Sequence, residues 1–299
     1  MFEDVRRNKI KSGFIVSVFI LMITLIVYYI SIAFEIDASI ALTIALLFSI
    51  ISSWASYFYS DKIILAVSHA RPATEAEDKK IINILDGLMI SSGLPSRPRL
   101  YVVEDAQPNA FATGRNPKHA IICVTTGLLD KLEYYELEGV IAHEMAHIKN
   151  YDILLSAVVT VMVGFIVMLS DMFTRGFFYR SGRSKDNDSE GNGVLMIVGL
   201  VLLILSPILG KLMQMAVSRR REFLADSTAI EFTRNPDSLI SALRKLDDDP
   251  NELQFANKAT ENMYIVNPFK KKANEKKKAS LFSTHPSIDD RIEALQNIK

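Results

Sequence analysis

His143-Glu144-Met145-Ala146-His147 decides how this chain is read, because Ile153, six residues further on, opens an apolar run that continues to Phe173. Residues four apart in a helix share a face, so both imidazoles can offer a nitrogen to one metal while Glu144 lies beside it. Nitrogen ligands for a Lewis acid, a carboxylate base and one further ligand are the parts a zinc hydrolase needs. Gly139-Val140-Ile141-Ala142 before the first histidine and Ile148 after the second make this a buried helix, and buried imidazoles require partners. One zinc ion would satisfy both rings. The competing reading is a solvated or core-edge helix whose histidines bond only to neighbours.

The third ligand has to come from elsewhere, and Arg221-Glu222-Phe223-Leu224-Ala225-Asp226 is the best source. Glu222 and Asp226 lie one helical turn apart, so if Glu222 reaches the metal, Asp226 can accept the free ring N–H of a ligand histidine. Alternatively, both acids simply pair with Arg219, Arg220 or Arg221.

Local composition then places the site. The 299 residues carry no formal net charge, and nothing in that balance suggests nucleic-acid binding. Gly13 to Phe34, Ala38 to Tyr59, Ile153 to Phe173 and Val194 to Val217 are four apolar stretches that approach or exceed the roughly 20 residues needed to cross a bilayer. Arg6, Arg7, Lys9 and Lys11 put the N-terminus in the cytoplasm, and the first stretch reads as an uncleaved anchor. Tyr28 and Tyr29 at one end, with Trp54, Tyr57 and Tyr59 at the other, fit aromatic belts. The third and fourth runs could instead be buried core helices, although their length argues for spans. The single cysteine, Cys123, permits no internal disulfide and sits in a core strand.

The connecting sequence is mixed. Thr74-Glu75-Ala76-Glu77 is a capping-box signal for a helix that carries Ile81, Leu85 and Leu88 and stops at Gly93. Leu100 to Glu104, Asn109 to Thr113 and Ala120 to Thr125 read as strands of a small sheet that could hold an extended peptide along its edge. Helices follow over Glu222 to Phe232, from Asn235-Pro236 to Leu246, and from Pro286 to Ile298 behind a Ser287 cap. The lysine-rich stretch 270–278 is too charged to bury, and it is either a solvated loop or a contact for anionic lipid. His69 and His119 carry no motif and read as surface residues.

The fold class is therefore α+β and mostly helical: a multipass membrane protein with four transmembrane helices and a cytoplasmic zincin-type metalloprotease domain containing a small β-sheet. The expected division is a transmembrane hairpin over 1–60, the first half of the peptidase domain with the zinc helix over 61–152, a second hairpin over 153–217, and the second half with the third ligand over 218–299.

With His143-Glu144-x-x-His147, Glu222-x-x-x-Asp226, Asn109-Ala110-Phe111-Ala112-Thr113-Gly114 and Ser283-Thr284-His285-Pro286-Ser287 assembled, the chain closely resembles the HtpX family over nearly its whole length. That family comprises heat-shock-associated bacterial membrane zinc metalloendopeptidases related to the CAAX-prenyl-protein endopeptidases. The resemblance implies one Zn2+ held by His143, His147 and Glu222, and Glu144 as the base and proton shuttle. It also implies damaged or misassembled membrane proteins as substrates, in the bacterial cytoplasmic membrane with the active site on the cytoplasmic face. His285 is the candidate for stabilising the oxyanion on that resemblance, with Asn109 as a second candidate on the substrate-facing strand.

Two other functions compete. Site-specific processing of lipidated peptides would call for a large intramembrane chamber, for which four runs are few. A membrane scaffold or regulator with a structural or inactive zinc site would normally use four protein ligands, often cysteines, whereas here Glu144 is intact and cysteine is nearly absent.

Overall fold

The computed structural model describes residues 37–164, 219–254, 260–269 and 286–298, with scattered residues between 6 and 28. His285, the lysine-rich stretch 270–278, the fourth apolar run and the latter part of the third lie outside the described residues.

The first long element is α1 (Ala38–Val67), capped by the Asp37 carboxylate, which accepts from the Ser39 and Ile40 N–H groups. Its 30 residues contain neither glycine nor proline and give a rod of roughly 45 Å. Leu42–Val67, with mean hydropathy 1.5, is the one helix among the described residues long and apolar enough by itself to cross a membrane. Its surface is inverted relative to a water-soluble helix. Leu47, Ile51 and Trp54 are more than half exposed, while Ala45, Ser49, Ser53, Ser56 and Ser60 are buried. The Ser49 hydroxyl meets that of Thr24 at 3.2 Å, so the small polar face packs against the N-terminal segment.

Past α1, β1 (Arg71–Pro72) leads into α2 (Glu75–Ser92), whose capping box is formed as expected between Thr74 and Glu77. Gly93, at φ 64, ends the helix in the left-handed conformation that glycine adopts without strain. The buried face of α2 is Ile81, Ile84, Leu85 and Leu88. Three further strands follow: β2 (Arg99–Val103), β3 (Ala110–Thr113) and β4 (Ile121–Thr125). Sheet order is β1-β2-β4-β3, with β2 parallel to β4 and the other pairs antiparallel. Central β4 is buried at every position, Cys123 included. Two elements escape the sequence pattern because they are short: β1, and α3 (Thr126–Lys131), which the Thr125 hydroxyl caps.

The metal-binding sequence lies in α4 (Tyr134–Lys149). Tyr151, at φ 60, then turns the chain through 83° into α5 (Asp152–Gly164). Ile153, Leu155, Ala157, Val158 and Met162 of α5 are buried, so the described half of the third apolar run is covered by protein. The second cluster of helices is α6 (Arg219–Thr233), α7 (Pro236–Asp248) and α8 (Ile288–Gln296). Asn235 caps α7 and Ser287 caps α8. One hydrophobic core joins Leu85, Val140, Ile141, Ala229, Leu239 and Leu295, so residues from both sides of the stretch 165–218 fold together around α4.

Candidate metal centre

Helix periodicity brings His143 and His147 to one face of α4, and α6 crosses it so that Glu222 arrives opposite. The two Nε2 atoms stand 3.2 Å apart. Each lies 3.7 Å from an oxygen of Glu222. A tetrahedral zinc with bonds near 2.0–2.1 Å separates its ligand atoms by roughly 3.3 Å, and these edges have that scale. The three side chains offer ligand atoms that all lie within 4.8 Å of one another.

The outer contacts fix which nitrogens face the metal. His143 Nδ1 stands 2.9 Å from Asp226 Oδ1, the role expected of Asp226. His147 Nδ1 stands 3.0 Å from Asp152 Oδ2. With both Nδ1 atoms directed at carboxylates, the two Nε2 atoms and the Glu222 carboxylate converge on one point, an arrangement that calls for a cation. Protonation follows the same demand. Burial and the Arg291 charge disfavour the charged form of His143, yet Asp226 and Glu222 outweigh them and hold its pKa at about 9. Burial likewise opposes charge on His147, and Asp152 with Glu222 overcomes it, so that its pKa also rises. The donor set thus fits zinc, the metal such sites generally take.

Glu144 is buried beside the ligands, and that burial above all raises its carboxyl pKa, making it a stronger base than a solvated glutamate. The cavity here is about 30 Å³, room for roughly one water. Ala112, His143, Glu144, His147, Asn262 and Tyr264 are among its walls.

Arg291 completes the site and was missed from sequence. It is fully buried, and its Nε and Nη2 grip the two Asp226 oxygens at 2.9 and 2.7 Å. Its Nη1 donates to the Ile265 carbonyl at 3.1 Å. Burial opposes ionisation of Asp226, but Arg291 and His143 hold its pKa below the usual value. Asp226 therefore does not pair with Arg219, Arg220 or Arg221; Arg221 instead lies 3.7 Å from Asp152. A signal for Arg291 existed, since Ile288, Arg291, Ile292 and Leu295 occupy one helical stripe of α8.

Asn109, the second candidate for contacting substrate, has its side chain engaged within the protein. Its Nδ2 donates to the Val266 and Gln107 oxygens, and its Oδ1 accepts from the Ala110 and Val266 N–H groups. Every polar atom of the side chain is used in clamping the segment 260–269 beside β3. Ile265 N–H also donates to the Ala110 carbonyl, and Tyr264 stacks edge-on against Phe111.

Comparison with known proteins gives the chain's family. Residues 75–299 match the model of peptidase family M48. A protease HtpX homolog of Dictyoglomus thermophilum is 43% identical over 295 residues, covering 99% of this chain and 94% of that protein. One from Listeria monocytogenes serotype 4b is 38% identical over 307 residues, covering all of both chains. Among solved structures, S. mikatae Ste24p is similar at a TM-score of 0.49 and 18% identity, over 99% of this chain and 67% of that one. With the family match over most of its length and HtpX relatives end to end, the chain belongs to peptidase family M48 and is a membrane-associated metalloprotease.

Proposed function

We propose that the chain is a zinc endopeptidase working at the cytoplasmic face of the bacterial cell membrane, where it cleaves unfolded or misassembled membrane proteins. The observation that carries this reading is a paired-histidine and glutamate ligand set with a buried carboxylate base, opening beside Ala112 of an edge strand. Zinc bound by His143, His147 and Glu222 would supply a Lewis acid for the scissile carbonyl and lower the pKa of its water. Glu144 would take the proton from the attacking water and return it to the leaving amine. Register on β3 supports a bound strand: Ala110 and Ala112 share the outward edge, and the segment at Ile265 occupies it only at Ala110. A substrate backbone pairing at Ala112 would continue where that segment stops.

The membrane part of the proposal keeps four spans, arranged as hairpins over 1–60 and 153–217 around the peptidase halves 61–152 and 218–299. Its support is the inverted surface of α1, with bulky apolar side chains outward and serines inward. His285 remains proposed as a stabiliser of the oxyanion through the family resemblance.

Cleavage of unfolded casein by detergent-solubilised protein, with and without zinc and beside Glu144→Gln, tests the chemistry. Zinc-dependent cleavage that drops at least about 100-fold in the variant, with zinc still bound, is the expected result. Equal cleavage by both proteins would overturn the assignment.

A further inference from the structure

Asn262 carries a polar atom at this site that has no partner among the described residues. It belongs to a short 3-10 turn, Glu261–Met263, on the segment that crosses the cavity. The residue is 6% exposed and forms part of the cavity wall with His143, Glu144 and Ala112. Among the described residues its Nδ2 meets no hydrogen-bond acceptor. The Thr160 hydroxyl of α5 lies 3.5 Å from Oδ1, so the end of the amide left without a partner is the donor. Leaving a buried donor unpaired is unfavourable, and a ligand that brings an acceptor into the cavity would relieve it.

The segment presents this donor rigidly. Asn267 Nδ2 bonds Glu261 Oε1 at 2.9 Å, Tyr264 is locked against Phe111, and Arg291 holds the Ile265 carbonyl. Arg291 thus links the backbone beside Asn262 to the Asp226 carboxylate behind His143. A peptide entering along Ala112 brings carbonyl oxygens into the cavity that Asn262 borders.

We propose that Asn262 is a substrate-contacting residue whose side-chain N–H donates to the carbonyl oxygen of the bond being cleaved and keeps that donor aimed at it as negative charge develops. Thr160 is then a positioning residue that orients the amide. This assignment rests on the peptidase reading above. A fixed donor to a developing oxyanion typically contributes about 10²–10³ in kcat.

The test uses the full chain in detergent with zinc, comparing wild type with Asn262→Leu, which keeps the approximate shape and removes the donor. A fluorogenic peptide gives kcat and KM, and calorimetry gives the Kd of a phosphinic peptide that mimics the tetrahedral oxygens. Expected for the variant is a fall in kcat of about 100-fold with KM within about threefold, a comparable weakening of phosphinic peptide binding, and unchanged zinc content and thermal midpoint. Should leucine unfold the protein, Thr160→Val carries the same test with the same direction and a loss of roughly threefold to tenfold. Wild-type kcat and phosphinic affinity in a zinc-loaded variant would overturn the proposal while leaving the peptidase reading intact, as would a loss explained by missing zinc. If wild type cleaves nothing, the peptidase reading fails, and unequal phosphinic binding by the two proteins still reports whether Asn262 contacts a tetrahedral anion.

Discussion

Arg291 shows what a single residue does here that its charge alone would not suggest. A buried guanidinium is tolerated because two Asp226 oxygens and the Ile265 carbonyl surround it. Arg291→Met leaves Asp226 buried without its counter-charge and is expected to cost about 3–5 kcal/mol in denaturant unfolding. Arg291→Lys keeps the charge but not the two-pronged grip, and should restore only part of that loss. Asp152→Ala removes the acceptor that orients His147 and should lower zinc affinity by roughly 10–100-fold, read by competition with a chelator. Of these residues only Asp226 was legible beforehand, through its four-residue spacing from Glu222. Asp152 follows a left-handed Tyr151 that breaks helical periodicity, and no repeat pattern crosses such a bend.

At the scale of elements, two glycines in helices carry opposite predictions. A Cβ on Gly139 would stand 3.0 Å from the Leu239 backbone, so α4 and α7 approach as closely as they do because that side chain is missing. Gly139→Ala should push them apart and cost about 1–3 kcal/mol in urea unfolding. At Gly87 of α2 nothing lies within 4 Å of the added carbon, and alanine there should stabilise by about 0.5–1 kcal/mol. The start of α2 also has a pH signature. Arg71 bonds both Glu77 and Glu104, and chiefly through that Arg71 contact the Glu77 pKa falls to about 2. A depressed carboxyl pKa stabilises the fold above its unfolded value near 4.5, and the contribution disappears as pH falls from there towards 2. Glu77→Gln should therefore cost on the order of 1 kcal/mol at neutral pH and progressively less below pH 4.5, seen as a flatter dependence of the urea midpoint on pH.

For the whole molecule, the peptidase core is assembled from segments on both sides of an apolar stretch, and α1 carries an outward surface of large apolar side chains. If the N-terminus is cytoplasmic, Asp37→Cys in intact cells should react with a membrane-impermeant maleimide, whereas Ile90→Cys, 87% exposed on α2, should react only after permeabilisation. The reverse pattern would invert the topology. Cys123 is fully buried and should stay silent in both.

The sequence by itself put forward His143, Glu144, His147, Glu222 and Asp226 as one candidate site and laid out most of the secondary structure. These are local patterns, set by helix periodicity, capping side chains and runs of alternating or continuous apolar residues. Only the tertiary structure decided that Arg291 reaches Asp226 across 65 positions and that Asn109 clamps Val266 across 157. It alone shows Asn262 Nδ2, in the cavity that Glu144 also lines, without an acceptor among the described residues. Contacts at such separations depend on how helices and sheet pack around a shared core, and no local spacing encodes which polar atom is left without a partner.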